Sequence, residues 1–153
     1  MPSQLEAVIN APSQLTKGYL ENTRNTIVLG RGFGYAVGRE VALKLKEVLG
    51  IHAEAFSSAE FIHGPVTLVE KKLKLISLNI EDQSAPFHQN MVQDVRTRGG
   101  ECIDLQGGVT SSHPRLDALL LMQRFYLDIE KIAVELGLNP DTPPGLNKVT
   151  KTQ

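Results

Sequence analysis

One cysteine, no long apolar run and almost no charge imbalance mark this sequence of 153 residues. A single cysteine, Cys102, excludes an internal disulfide; it lies in "ECIDL", a strand-like run where a small buried side chain is the ordinary reading, and it is assigned no role. The longest nearly apolar run, "ALLLM" from Ala118 to Met122, is far too short to span a bilayer, and the N-terminus lacks a basic segment followed by an apolar one. Both absences predict a soluble, unexported, cytoplasmic chain with no membrane partner. Sixteen Lys plus Arg against seventeen Asp plus Glu leave a net charge of -1, and no basic block carries interleaved aromatics, so nucleic acid is not an expected partner. Repeats and low-complexity segments are also missing. What is present, 41% hydrophobic and 22% charged residues, suits one ordinary globular domain with a single core.

Several chemical signatures fail in turn. "GRGFGYAVG" follows a strand-like run, but counting from Gly30 the sixth place of a dinucleotide fingerprint is Tyr35 instead of glycine. No Gly-Lys-Ser or Gly-Lys-Thr follows to make a P-loop. "HAE", His52 to Glu54, lacks the Pro-Cys-x-x-Cys partner of a zinc deaminase, and His63, His88 and His113 have no metal-ligand spacing. No metal and no cofactor are therefore expected. What remains at Gly30, Arg31 and Gly32 is a backbone that can approach a ligand closely at a helix N-terminus, an arrangement that favours anions, or simply a tight turn.

The chain otherwise reads as alternating strands and helices. Strands are predicted over Asn25–Gly30, Ile51–Ser57, Lys72–Asn79 and Glu101–Leu105, and helices over Gly38–Gly50, Glu81–Arg98 and Arg115–Leu136. Ser3 to Glu21 is loosely helical, is broken by Pro12, and reads as a lead-in outside the core. On the last long helix Leu116, Leu119, Leu120, Phe125, Ile129, Ile132 and Ala133 form the apolar side. Such alternation predicts an α/β fold, a mostly parallel sheet covered on both faces. Ligands in such folds collect at the carboxyl ends of strands, which directs attention to "GRGFG", "SSAEF" and the loop after Asn79.

One row of charges stands out on the first long helix. At about 100° per residue Val37, Val41, Leu45 and Val48 make one buried stripe, while Arg39 and Lys46 point away. Glu40, Lys44 and Glu47 fall on the shoulder between them. Two accounts fit: i,i+4 and i,i+3 ion pairs on a helix surface, or a cleft in which a partly desolvated carboxylate carries protons. Periodicity does not choose. His63, just before Gly64-Pro65 on a turn, is either solvated or an acid–base group. Lys148, in the aperiodic tail, is a nucleophile only if buried and deprotonated.

The stretch "LGRGFGYAVGREVALKLKEVLGIHAEAFSSAEFIHGPVTLV", Leu29 to Val69, resembles the sugar isomerase (SIS) domain. Its "ALKLKE", "HAEAF" and "HGP" elements, with the terminal "NPDTPPGLNKVTKT", are similar to the second SIS copy of glucosamine-6-phosphate synthase and its relatives. The resemblance implies a three-layer αβα sandwich of flavodoxin-like type over residues 25–137. It also implies a connector over 1–24 and a C-terminal tail over 138–153 carrying the lysine. In the similar enzymes the glutamate ending "KLKE", here Glu47, moves a proton between C1 and C2 of an open-chain hexose or hexosamine 6-phosphate. Lys44 and Glu40 match its charged neighbours, and His63 matches the ring-opening histidine lent by the other subunit of a homodimer. Lys148, beside Asn147, matches the imine-forming lysine. Gly30, Arg31, Gly32, Ser57, Ser58 and Asn147 are the remaining expected contacts with the sugar phosphate.

The sequence also departs from that pattern. Similar enzymes carry two such domains and bind phosphate through a Ser/Thr-rich loop of the first; here one domain is present and "NIEDQSAP" follows the third strand. No glutaminase region accompanies it, and "AFSSAEF" is closer to shorter members that act as aminosugar-phosphate deaminases or ketose/aldose isomerases. The resemblance thus implies an isomerase or deaminase half-site that pairs with a preceding SIS domain. A non-catalytic sugar-phosphate sensor or dimerisation module is the alternative.

Overall fold

The computed structural model describes residues 1–71 and 73–145. In chain order the elements are α1 (Pro2–Asn10), α2 (Lys17–Leu20), β1 (Asn25–Gly30), α3 (Phe33–Leu49), β2 (His52–Ser57) and α4 (Ser58–Phe61). A 3-10 turn (Pro65–Lys71), β3 (Lys74–Leu78), α5 (Ala85–Thr97), β4 (Glu101–Leu105) and α6 (Pro114–Glu135) complete the described part. The four strands are all parallel, in the order β2-β1-β3-β4.

Strand alternation sorts the core into two layers. Val28, Ile76 and Leu78 face α3 and α6, meeting Val37, Val41, Leu45, Leu121, Phe125, Ile129 and Ile132. Ile27, Leu29 and Leu75 face the opposite way, onto Phe61, Val66, Val69, Met91 and Val95. Side chains two apart share a face and neighbours oppose, so one β-branched strand supplies both cores. The outcome is the expected α/β sandwich of three layers.

Two sequence expectations change. The helix predicted from Gly38 begins at Phe33, because the glycine-rich turn occupies only Gly30–Gly32. Gly32 has φ +54 and ψ -124, a conformation that residues with a Cβ avoid, and there the strand is redirected into the helix. Gly30 lies so close to the first turn of α3 that an added Cβ would stand 2.4 Å from the Gly34 backbone.

The segment read as a lead-in outside the core is instead packed into it, with Val8, Leu15 and Leu20 only 0%, 1% and 2% exposed. Its anchor is polar and comes from α6. Arg124 Nη1 donates to the carbonyls of Val8 and Ala11 at 2.9 and 2.8 Å, and Asp128 Oδ2 accepts from the amides of Gln14 and Leu15 at 2.9 and 3.0 Å. Arg124 Nη2 lies 2.9 Å from Asp128 Oδ1, an ion pair at an angle outside that of a hydrogen bond. These buried charges occupy part of the α6 face that hydrophobic spacing assigned to apolar side chains, while Leu119 is 52% exposed.

Candidate active site

On α3 the buried stripe is Val37, Val41 and Leu45, and Arg39 and Lys46 point to solvent as their phase requires. The row between them faces the crossing of α6. Lys44 Nζ stands 2.6 Å from Glu47 Oε2 and 3.8 Å from Glu40 Oε1, with the three side chains 27–30% exposed. The Tyr126 hydroxyl, arriving from α6, donates to Glu40 Oε1 at 2.6 Å. The hydrogen bond to Glu47 raises the Lys44 pKa against a smaller opposing effect of burial, and both carboxylates add to the rise. The phenol of Tyr126 is pushed up to about 12, first by its bond to Glu40, then by burial and the two nearby carboxylates.

This row does not lie on a plain solvated face. Lys44 and Glu47 line a cleft of about 550 Å³ whose floor is Val48 and Ile129 and whose other walls are Tyr126, Glu130 and the segment Pro140 to Pro143. Glu40 is on the far side of the row, against a neighbouring groove with Tyr35, Leu43 and Ala53 to Ala55. A carboxylate and an ammonium 2.6 Å apart thus stand on the wall of a partly apolar cleft, the kind of surface that takes a small molecule.

The carboxyl edge of the sheet brings other expected residues together. Gly30 and Ser57 are paired across β1 and β2, with Arg31 and Gly32 just beyond. Ser57 Oγ is used to cap α4, accepting from the Ala59 amide at 3.3 Å. Ser58 is 2% exposed and its Oγ has no hydrogen-bond partner. Arg31 lies 5.1 Å over the ring of Phe87. Asp82 binds the amide and hydroxyl of Ser84 through Oδ1, and its Oδ2 stands 2.8 Å from where a Gly32 Cβ would be. A carboxylate thus sits at the N-terminus of α3, where its charge opposes an incoming anion.

His63 is exposed on the turn after α4. Within one chain it is apart from Glu47: α4 contributes Phe61 to the core layer on the opposite side of the sheet from α3. Asn147 and Lys148 lie outside the described residues. Cys102 is half-buried, and burial pushes its thiol up to about 12, which removes it as a thiolate nucleophile at neutral pH.

Two features escaped sequence reasoning. Tyr126 meets Glu40 across 86 positions, so no local spacing marks the pair. The other is a chain of polar contacts under α5. His88 Nε2 lies 3.0 Å from Ser77 Oγ, and Asn79 Nδ2 donates to Asp104 Oδ1 at 3.0 Å, while Arg96 holds Asp104 Oδ2 at 2.6 Å. Burial raises the Asp104 carboxyl, but the bonds from Asn79 and Arg96 outweigh it and the net shift is downward.

Comparison with known proteins gives this geometry a family. The SIS domain matches residues 19–123. The chain is 34% identical over 145 residues to the isomerizing glutamine–fructose-6-phosphate aminotransferase of Lactiplantibacillus plantarum, a match covering 88% of the chain and 24% of that protein. The aminotransferase of the same name from Haemophilus ducreyi is 29% identical over 170 residues, covering 100% of the chain and 28% of the relative. The chain therefore spans about a quarter of the length of these curated relatives.

Among solved structures, a protein described as a phosphosugar isomerase from Silicibacter pomeroyi superposes with a TM-score of 0.80 and 31% identity, over 92% of this chain and 46% of that one. The C-terminal domain of glucosamine-fructose-6-phosphate aminotransferase from Francisella tularensis superposes at 0.72 with 29% identity, over 82% and 40%. With a family match across most of its length and a parallel sheet sandwiched as in these structures, the chain belongs to the SIS domain family.

Proposed function

We propose that this domain supplies the proton-transfer wall of an active site that interconverts or deaminates hexose and hexosamine 6-phosphates. The observation that carries the reading is the Lys44–Glu47 contact of 2.6 Å on the wall of a cleft whose opposite wall is Pro140 to Pro143. Glu47 takes the proton from one of C1 and C2 of the open-chain sugar and returns it to the other. Lys44, at 2.6 Å, is the counter-ion of that carboxylate. Lys148 condenses with a ketose carbonyl, the oxygen leaving as water, and the resulting imine acidifies the adjacent C–H.

His63, remote from Glu47 in one chain, acts from a second copy in a homodimer and handles the ring oxygen's proton. The phosphate is held by a preceding SIS domain, to which residues 1–24 connect, because Asp82 makes the N-terminus of α3 poorly suited to an anion. Gly30, Arg31, Gly32, Ser57 and Ser58 lie at the other end of α3 from Glu47 and outside its cleft, and are assigned no contact with this sugar. No metal takes part, and the setting is the cytoplasm.

Proton and phosphorus NMR in heavy water tests this, with the protein that includes the preceding domain and with this chain alone. Glucosamine 6-phosphate is added first, then fructose 6-phosphate with ammonium. Ammonia release, or deuterium entering at C1 or C2 in the parent and falling by about 100-fold or more in Glu47→Gln, supports the reading. Binding of both sugars with no exchange in either protein refutes catalysis and leaves a sugar-phosphate sensor.

A further inference from the structure

Two donors compete for one oxygen on α3. The Tyr126 hydroxyl is 2.6 Å and the Lys44 ammonium 3.8 Å from Glu40 Oε1, while the same ammonium is 2.6 Å from Glu47. Lys44 has a carboxylate four residues before it and another three residues after it, both within reach on a helix. In an isolated helix a glutamate four residues N-terminal to a lysine is the better-oriented partner, in keeping with the helix dipole. α3 by itself therefore favours Glu40. The observed preference for Glu47 runs against that tendency and needs a cause from outside the helix.

α6 supplies it. The phenol reaches Glu40 from a different element, on a helix anchored in the core by Phe125 and Ile129, 1% and 3% exposed, while Tyr126 itself is 41% exposed. Its proton stays in place across the physiological range, because the same bond to Glu40 pushes the phenol up to about 12. A neutral, permanently protonated donor at 2.6 Å satisfies Oε1 and keeps the Glu40 carboxylate turned toward α6.

We propose that Tyr126 is a positioning residue which, by occupying Glu40 Oε1, commits the Lys44 ammonium to Glu47 at the cleft. The inference rests on the proposed reading of Glu47 as the proton carrier for its catalytic meaning, though not for its geometry. It assigns the three charges of the row different work: Glu47 faces the ligand, Lys44 is its counter-ion, and Glu40 is kept from competing for that counter-ion.

The test follows the ammonium directly. In a chain labelled with nitrogen-15 and carbon-13, couplings transmitted through the hydrogen bond report which carboxyl carbon Lys44 Nζ touches. The parent protein is expected to show coupling to Glu47. In Tyr126→Phe, which keeps the ring and its packing, that coupling should fall by roughly half or more as Glu40 becomes an equal partner. Combining Tyr126→Phe with Glu40→Gln should return it to Glu47. An unchanged Glu47 coupling in Tyr126→Phe overturns the proposal, as does a loss that Glu40→Gln does not reverse, since the phenol would then act by packing alone. Hydrogen exchange into sugar phosphate by the intact protein is read separately. A coupling that moves as described, with no exchange in the parent, upholds the positioning role and removes only the assignment of Glu47 as proton carrier.

Discussion

Replacing Asp128 by alanine separates two ways in which a buried ion pair can hold a fold. Asp128 is fully buried and Arg124 5% exposed, so Asp128→Ala strands an arginine charge in the core. Breaking a buried pair from one side costs about 3–5 kcal/mol, against a total of about 5–15 kcal/mol for a typical domain. At about 2–4 °C per kcal/mol for a chain of this size, the melting temperature falls by roughly 6–20 °C.

The more informative variant is Arg124→Met with Asp128→Leu. For an isolated pair, replacing both charges by apolar residues of similar size is often neutral. Here the pair also satisfies four backbone groups of residues 8–15, and the Val8 carbonyl and Leu15 amide among them are fully buried. The Leu15 amide, left without a partner, alone costs about 1–3 kcal/mol, while the Val8 carbonyl keeps the Ala11 amide at 3.2 Å. Urea unfolding should therefore show the double variant well below the parent, and limited proteolysis should open cuts between Asn10 and Thr16. A double variant within about 0.5 kcal/mol of the parent would refute the claim that this pair acts chiefly by tying the N-terminal segment to α6.

Stability should also fall in mild acid through His88, and glycine should be required at Gly30. His88 is 3% exposed and its Nδ1 has no partner; burial lowers its pKa, Arg31 adds to the lowering, and the charges of Asp104 and Asp82 oppose it only in part. The unfolded chain takes up that proton near pH 6.5, before the folded one does, so stability declines as pH drops below about 6.5, by at most about 1.4 kcal/mol per unit. Urea midpoints between pH 7.5 and 5.5 should fall more steeply for the parent than for His88→Gln, and parallel lines would remove this assignment. Gly30→Ala places a methyl group 2.4 Å from the Gly34 backbone, which does not yield as a side chain would. Thermal unfolding should then show a loss of about 2–4 kcal/mol, and a change under about 0.5 kcal/mol would mean that the start of α3 adapts freely.

Local chemistry along the chain determined the elements and their kind. A β-branched run ending in glycine made β1, a 3.6-residue stripe made α3, and the charges on its shoulder were visible because helix phase depends only on neighbours in sequence. Ordered motifs on those elements were enough to imply the family, and the candidate residues Glu40, Lys44 and Glu47 with it.

Tertiary structure decided what those residues meet. Whether the row was a solvated ion-pair face or the wall of a cleft depended on α6 and on Pro140 to Pro143 closing over it, roughly 80 to 100 positions away. The burial of Val8 and Leu15 likewise depended on Arg124 and Asp128, polar residues on a helix face that hydrophobic spacing assigned to apolar side chains. The place of His63, on the opposite side of the sheet from Glu47, followed from how β1 shares its alternate side chains between two layers. In each case the partner was chosen by packing in three dimensions, for which the spacing of residues along a chain carries no signal.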